Sequence, residues 1–424
     1  MGQLGIWSTV CGLVLLRSLI NGLATFLAVR FFSVGAKLAS KPNGPRVVIV
    51  LPVLREAGRL RETLDYIQTH APPSRILECV IVGTAGERGA DGINPTVALA
   101  QSLSEGRPLF RVLEAPDPAA IKADQINWAA LDIARRYDPA GIWLFLMDID
   151  TQFSVAALEE ASALMRLGAD VIQEHSIFLA DFERLPFIQQ AHALYQSRWT
   201  LAHELKNNWL SNVSGWYVSH IVGHGAFIRL RSFNALGGMP RASVTEDLHF
   251  GYYIVASGCR IQSLRTLSVS ETPDTLSAAL AQQKTWAFGP LLYAHYRARM
   301  RADIPAAFAR NRFRSFVIAT VGIATFLNWL LLFPGILLIL ALAVHGDSLA
   351  WAALGIYVAD LSLASWFFAQ RGWIPRDRLW TAPLLMIVHL PIRTLAAWRA
   401  LIDLMLGRGI TRIKTNNRAA EERG

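Results

Sequence analysis

The placement of the apolar runs limits this chain more than any other feature. One run covers residues 6–32 (IWSTVCGLVLLRSLINGLATFLAVRFF), and two more lie near the other end, at about 316–344 and 349–370. Each is long enough to cross a bilayer, which takes roughly 20 apolar residues. No comparable run occurs between residues 45 and 315. The chain is therefore expected to carry one large domain between membrane segments. Composition agrees: 53% of the residues are hydrophobic and 17% charged, against roughly a quarter charged in an ordinary soluble domain.

A secretory signal peptide fits the first run poorly, because no Lys or Arg precedes it. Ile6 also excludes an N-terminal myristoylation motif. Arg17 lies inside the run, where an unpaired charge costs about 2.5 to 3.5 kcal/mol. Either it faces other helices or it snorkels to an interface. Arg30, Lys37, Lys41 and Arg46 follow the run. The positive-inside rule then places the N-terminus outside the cell membrane and the next domain in the cytosol.

The two later spans turn at His345-Gly346-Asp347-Ser348, and Arg371, Arg376 and Arg378 mark the inner side again. Pro334 is expected to kink the first of them. A further run, 380–405, is interrupted by His389, Pro391, Arg393 and Arg399, and a basic tail with Arg408, Arg412, Lys414 and Arg418 follows. A simple third crossing would leave that basic tail outside. Either 380–405 is re-entrant or interfacial, or the 316–344 run contains a break.

The net charge of +9 and pI near 9.7 suit a membrane surface, since the arginines flank the spans and no nucleic-acid motif is present. Cys11, Cys79 and Cys259 have no paired spacing, which argues against disulfides or a zinc site.

Residues 45–275 alternate short β-branched runs with helical patterns. Strands are predicted at 46–51, 77–82, 109–113 and 142–147, and helices at 56–70, 94–104, 119–137 and 154–167. This alternation predicts an α/β domain, Rossmann-like, with a mostly parallel sheet that binds ligands beyond its carboxyl strand ends. The expected organisation is a transmembrane helix at 1–35, the α/β domain at 45–287, a basic interfacial helix on lipid at 288–315, a membrane region at 316–405 and a basic tail at 406–424. Residues 183–219, with Trp199, Trp209, Trp216 and Tyr217, either line a path for a substrate or pack on the sheet.

Asp148-Ile149-Asp150 ends the apolar segment IWLFLM. In an extended strand these two carboxylates share a face, and hard oxygen ligands suit Mg²⁺ or Mn²⁺. Thr245-Glu246-Asp247 precedes a helical pattern. One of its carboxylates suits a general base, and the triplet also fits a helix start capped by Thr245. Gln282-Gln283-Lys284-Thr285-Trp286 reads as the floor of a sugar site or as an interfacial Trp anchor.

Together these segments resemble glycosyltransferase family 2, in its membrane-integrated branch, which includes cellulose, chitin and hyaluronan synthases and lipid glycosyltransferases. The matching elements are Pro52 with Glu56, the segment from Lys122 to Asn127, Asp148 with Asp150, Gly223-His224-Gly225 with Arg229, Gly237-Gly238, Thr245-Glu246-Asp247, and Gln282 with Trp286. The tail segment Arg412-Ile413-Lys414-Thr415 also matches. Two departures stand out. The usual Asp after the second strand is absent, leaving Thr84 or Glu87 as substitutes, and the arginine of the Gln-x-x-Arg-Trp motif is Thr285.

The resemblance implies a GT-A fold and an inverting transfer from a nucleotide diphosphate-sugar to a lipid or glycan acceptor. Asp247, with Glu246 beside it, would be catalytic. Pro52, Glu56, Thr84, Glu87, Lys122 and Asp148 would bind the donor. His224, Gln282, Gln283, Lys284 and Trp286 would serve the diphosphate or acceptor, and Asp148 and Asp150 the metal. The motif change at Thr285 weighs against the alternative of a processive polysaccharide synthase. A non-catalytic sugar-binding or transport protein is the reading from another class.

Overall fold

The computed structural model describes residues 2–34 and 44–408. Lys37, Lys41, Arg412, Lys414, Thr415 and Arg418 lie outside the described residues.

Helix α1 (Gly2–Ser33) comes first. The domain begins with β1 (Arg46–Pro52), α2 (Ala57–His70), β2 (Ile76–Thr84), α3 (Pro95–Ser104), β3 (Phe110–Ala115), α4 (Lys122–Arg136), β4 (Ile142–Leu146) and α5 (Val155–Arg166). All four strands and four helices expected from the sequence are present. β5 (Val171–Ile177), α6 (Phe187–Trp199) and α7 (Leu205–Ser214) follow. The last domain elements are β6 (Ala226–Arg229), α8 (Leu230–Ala235), α9 (Glu246–Ala256), β7 (Ile261–Val269) and α10 (Leu276–Leu291).

The seven strands form one sheet in the order β3-β2-β1-β4-β6-β5-β7. Only β6 is antiparallel to its neighbours, pairing with β4 and β5. The sheet is mostly parallel because helices cover both faces. Successive residues of β1 therefore serve opposite cores: Val48 and Val50 pack toward α4, while Val47, Ile49 and Leu51 pack toward α2.

Sequence patterning missed β5 because its buried centre is polar. Gln173, Glu174, His175 and Ser176 are all buried. Gln173, His175 and Ser176 bond neighbouring polar groups rather than packing on hydrocarbon, and Glu174 Oε2 is left without a hydrogen-bond partner among the described residues.

Residues 288–315 are not one helix. They comprise the end of α10, then α11 (Tyr293–Asp303) and α12 (Pro305–Arg310), and the first turn of α13 (Arg312–Val344). Arg297 lies over the rings of Phe308 and Phe316. α14 (Ser348–Gln370), α15 (Ala382–Val388) and α16 (Leu390–Met405) complete the chain.

Among the described residues, four segments are long and apolar enough to cross a membrane: 9–33, 312–344, 348–370 and 382–405. α1 packs along α14 and runs in the same direction. Thr25 bonds Asp360 at 2.5 Å, and Arg371 donates to the Phe32 carbonyl. α13 continues through Pro334, so no break in it resolves the conflict over the tail.

The 382–405 segment packs against domain helices along its length. His389 meets His192 and Tyr195, Arg393 stacks between Trp199 and Trp329, and Asp403 pairs with Lys284. Arg198 of α6 reaches the middle of α14, where its Nε donates to Asp360 at 3.0 Å.

Candidate active site

The site lies at the carboxyl ends of the parallel strands. Four of the expected donor residues meet beyond β1 and β2. Arg55 adopts a left-handed φ of 55°, uncommon outside glycine, and its N–H donates to Glu87 at 2.9 Å. Thr96 also donates to Glu87, at 2.7 Å. Glu56 accepts from the Leu54 N–H at 3.4 Å. Thr84 is buried, and its hydroxyl donates to the Asp117 carbonyl at 3.1 Å. Gln125 on α4 donates to the carbonyls of Val53 and Val82, both at 2.8 Å. It fastens the ends of β1 and β2 together just after Pro52.

β4 stops at Leu146. Asp148 and Asp150 therefore do not share a strand face; they sit in a turn, a correction to the strand argument. The Thr151 N–H closes that turn on the Asp148 carbonyl at 3.0 Å. Lys122, at the start of α4, forms an ion pair with Asp148 and donates to the Gly223 carbonyl at 3.0 Å. His224 Nδ1 lies 3.9 Å from Asp148 and its Nε2 lies 2.7 Å from the Ser176 hydroxyl. A Cβ on Gly223 would stand 3.2 Å from Asp247 Oδ2 and 3.3 Å from Lys122 Nζ. Asp247 and Lys122 thus converge on one glycine, and the Lys122 ion pair ties Asp148 to them.

Asp247 occupies the first turn of α9, where the helix dipole favours a carboxylate. Thr245 makes no side-chain cap; its hydroxyl instead bonds Tyr296 at 2.9 Å. Glu246 is buried beside it.

One cavity of about 700 Å³ connects these groups with the membrane helices. Lys122, Asp148, Asp150, His224, Glu246 and Asp247 line its domain end, with Gln282, Thr285 and Trp286 on one wall. Gln283 and Lys284 face the other way, Gln283 toward Gln196 and Arg393, Lys284 onto Asp403. Pro52, Glu56, Thr84 and Glu87 stand outside the cavity lining. Asn127, part of the Lys-to-Asn segment, fastens Met239 through bonds of 2.8 and 2.7 Å instead.

Burial, then the adjacent Asp148 carboxylate, raises the pKa of Asp150, with His224 working against the rise. Two carboxylates that repel each other at an open cavity fit a hard divalent cation, which needs only one or two such ligands alongside water and phosphate. No cluster of three or more His, Cys, Asp or Glu suited to a metal occurs among the described residues.

Sequence reasoning missed a second set of cavity residues: His203, Glu204, Lys206 and His220. Thr200–Glu204 form a π-helical turn, a feature frequent at functional sites. Glu204 accepts from His175 at 3.4 Å. Burial works to raise its pKa, but the His175 bond and charge carry it below the ordinary value. Burial lowers the pKa of His220, opposed by the charges of Glu204 and Asp247. The available signal was the polar run His203-Glu204-Leu205-Lys206 between Trp199 and Trp209.

No curated protein matches the sequence. Among solved structures, the fold is similar to that of the mannosyltransferase PcManGT from Pyrobaculum calidifontis, determined in complex with GDP-Man and Mn²⁺. The TM-score is 0.53 and the identity 18%, over 94% of this chain and 99% of that one. The likeness shows that the domain has a GT-A fold, and the helices long and apolar enough to cross a membrane flank it. The family model described as glycosyl transferase family group 2 matches residues 143–389, more than half of the chain. That span holds the Asp148–Asp150 turn, the Gly223 loop and Asp247, and on this match the chain belongs to glycosyl transferase family group 2 and is a glycosyltransferase.

Proposed function

We propose that the protein transfers a sugar, with inversion, from a nucleotide diphosphate-sugar to a hydroxyl of a lipid or glycan acceptor at the cytosolic face of the cell membrane. The convergence of Asp247, Lys122 and Asp148 around Gly223 carries this reading. The donor would lie across the ends of β1, β2 and β4, with Thr84 and Glu87 nearest the nucleoside and Pro52 and Glu56 on the loop beside it. The GDP-Man complex of the structural neighbour supports a donor of this class.

Asp148 and Asp150 would hold Mg²⁺ or Mn²⁺, which supplies positive charge to a leaving diphosphate. Asp247 accepts the proton of the acceptor hydroxyl as its oxygen bonds to the anomeric carbon. The bond from that carbon to the diphosphate oxygen breaks, and the diphosphate leaves with the electron pair. Lys122 adds charge at Asp148, beside the developing negative charge. Glu246, His224, Gln282 and Trp286 shape the acceptor side. Gln283 and Lys284, which face away from the cavity, hold α10 against the 382–405 segment.

The basic residues Arg30 and Arg46 after α1, and Arg371, Arg376 and Arg378 after α14, support a cytosolic domain. An interfacial 382–405 segment keeps Arg408 on that same side, and its packing on α6 and α10 favours this.

The test is transfer of labelled sugar from a panel of nucleotide diphosphate-sugars, using purified membranes with and without chelator. Transfer that is lost on chelation supports the reading, and absence of both transfer and donor hydrolysis across the panel refutes it.

A further inference from the structure

The cavity does not end at the acids. It continues between α1 and α13, where Leu13, Leu16 and Ile20 form part of its wall. These residues are also 63%, 54% and 48% exposed, on a helix long and apolar enough to cross a membrane. α1 packs mainly on α14, and Val321, Ala324, Thr325 and Asn328 of α13 line the cavity facing it.

The charged side chains that α1 and α7 bring to this stretch, Arg17 and Lys206, are both cations. Arg17 and Asn21, one turn apart on α1, line the cavity together with Lys206 and Asn328. Lys206 Nζ donates to Asn21 Oδ1 at 2.9 Å and lies 3.5 Å from His203 Nδ1. Neither Arg17 nor Lys206 forms an ion pair among the described residues. The carboxylates in reach are committed: Asp360 to Arg198 and Thr25, and Glu204 to His175. Asn328 Oδ1 is buried without a hydrogen-bond partner. A cation without an ion pair inside a span, as Arg17 is, is costly, and with Lys206 beside it an anionic ligand would compensate both charges.

We infer that Arg17 and Lys206 form a phosphate-binding site for the acceptor: a lipid whose phosphate rests on these two cations while its chain leaves between α1 and α13. This rests on the transferase reading above and specifies its acceptor as an anionic lipid whose hydroxyl-bearing part extends toward Asp247. Burial, followed by the charges of Arg17 and Arg198, lowers the Lys206 pKa to about 8, which is the electrostatic condition an added anion relieves.

The test uses the full-length protein in neutral detergent, with farnesyl phosphate as the probe. Farnesol supplies the chain without the charge, and inorganic phosphate supplies the charge without the chain. Farnesyl phosphate should bind, with affinity at least about tenfold above farnesol. Arg17→Gln and Lys206→Met should each weaken it by about tenfold or more, while Arg17→Lys and Lys206→Arg retain it, with melting temperature as the folding control. Equal binding of farnesol, or unchanged binding by both neutral variants, overturns the site. Inorganic phosphate binding as tightly as farnesyl phosphate overturns the lipid as its source. Binding of a nucleotide diphosphate-sugar with Mn²⁺ to the unaltered protein is measured separately. Its absence counts against the transferase reading and leaves the farnesyl phosphate result standing.

Discussion

Lys122 and Gly223 lie 101 residues apart in the chain, and the ammonium of the first donates to the carbonyl of the second at 3.0 Å. That bond joins the start of α4 to the loop between α7 and β6. It sets Lys122 between Asp148 and Asp247, so one cation stands between the metal-side carboxylate and the proposed base.

Asp247→Asn removes the proton acceptor while leaving the fold intact, since its Oδ1 bonds only the neighbouring Leu248 N–H, at 2.8 Å, among its hydrogen bonds. Transfer should be abolished, falling by at least about a hundredfold, with an unchanged melting temperature and retained donor binding. A fully active variant would remove Asp247 from the reaction.

Asp150→Asn should act earlier. Losing one of two metal-side carboxylates should weaken donor binding as well as turnover, and raise the Mn²⁺ or Mg²⁺ concentration needed for half-maximal activity by about tenfold or more. Titrating metal in a donor-binding assay separates this from the Asp247 effect.

Gly223→Ala tests the convergence itself. The new methyl would press on Asp247 Oδ2 and Lys122 Nζ at 3.2 and 3.3 Å. Displacing them by a few tenths of an ångström should lower kcat roughly tenfold without loss of thermal stability. Single-turnover kinetics would read it.

Glu174 gives a pH prediction. Burial, partly opposed by the Thr266 hydroxyl and reinforced by Glu160, raises its pKa from 4.5 to about 7. The folded state therefore holds a proton that the unfolded chain releases near 4.5. Stability from this group is full below that pH, falls as pH rises toward about 7, and stays reduced above. Glu174→Gln should raise the melting temperature at pH 8 and change it little at pH 4.5.

Asp360→Asn should destabilise the protein, because Arg198 would be left as a buried cation facing a neutral amide. Breaking such a pair from one side costs about 3 to 5 kcal/mol. Thermal melting in detergent should drop clearly, and pairing the change with Arg198→Met should recover part of the loss.

Much of the α/β framework was legible because β1 to β4 and their helices obey simple periodicities. Fully buried strands such as Arg46–Pro52 and Ile142–Leu146 read as β-branched runs, and α4 shows an apolar stripe. β5 was not legible, because its buried side chains are polar and bond Ser263, Ser268 and the His224 carbonyl instead of packing on hydrocarbon. The direction of Lys284 and Gln283, away from the cavity, was not legible for a related reason. Neighbours on a helix point in different directions, and sequence order alone does not say which one faces the cavity.

By itself the sequence determined the membrane segments, the alternating domain and the ordered acids, because hydrophobic length and period are local properties. Only the tertiary structure decided that Asp247 and Asp148 line one cavity with Lys122 between Asp148 and Gly223, that the 382–405 segment lies along α6 and α10, and that Arg17 shares a cavity with Lys206. Those are contacts between segments far apart in the chain. They depend on how the sheet and the helices pack, and no local pattern of residues encodes that.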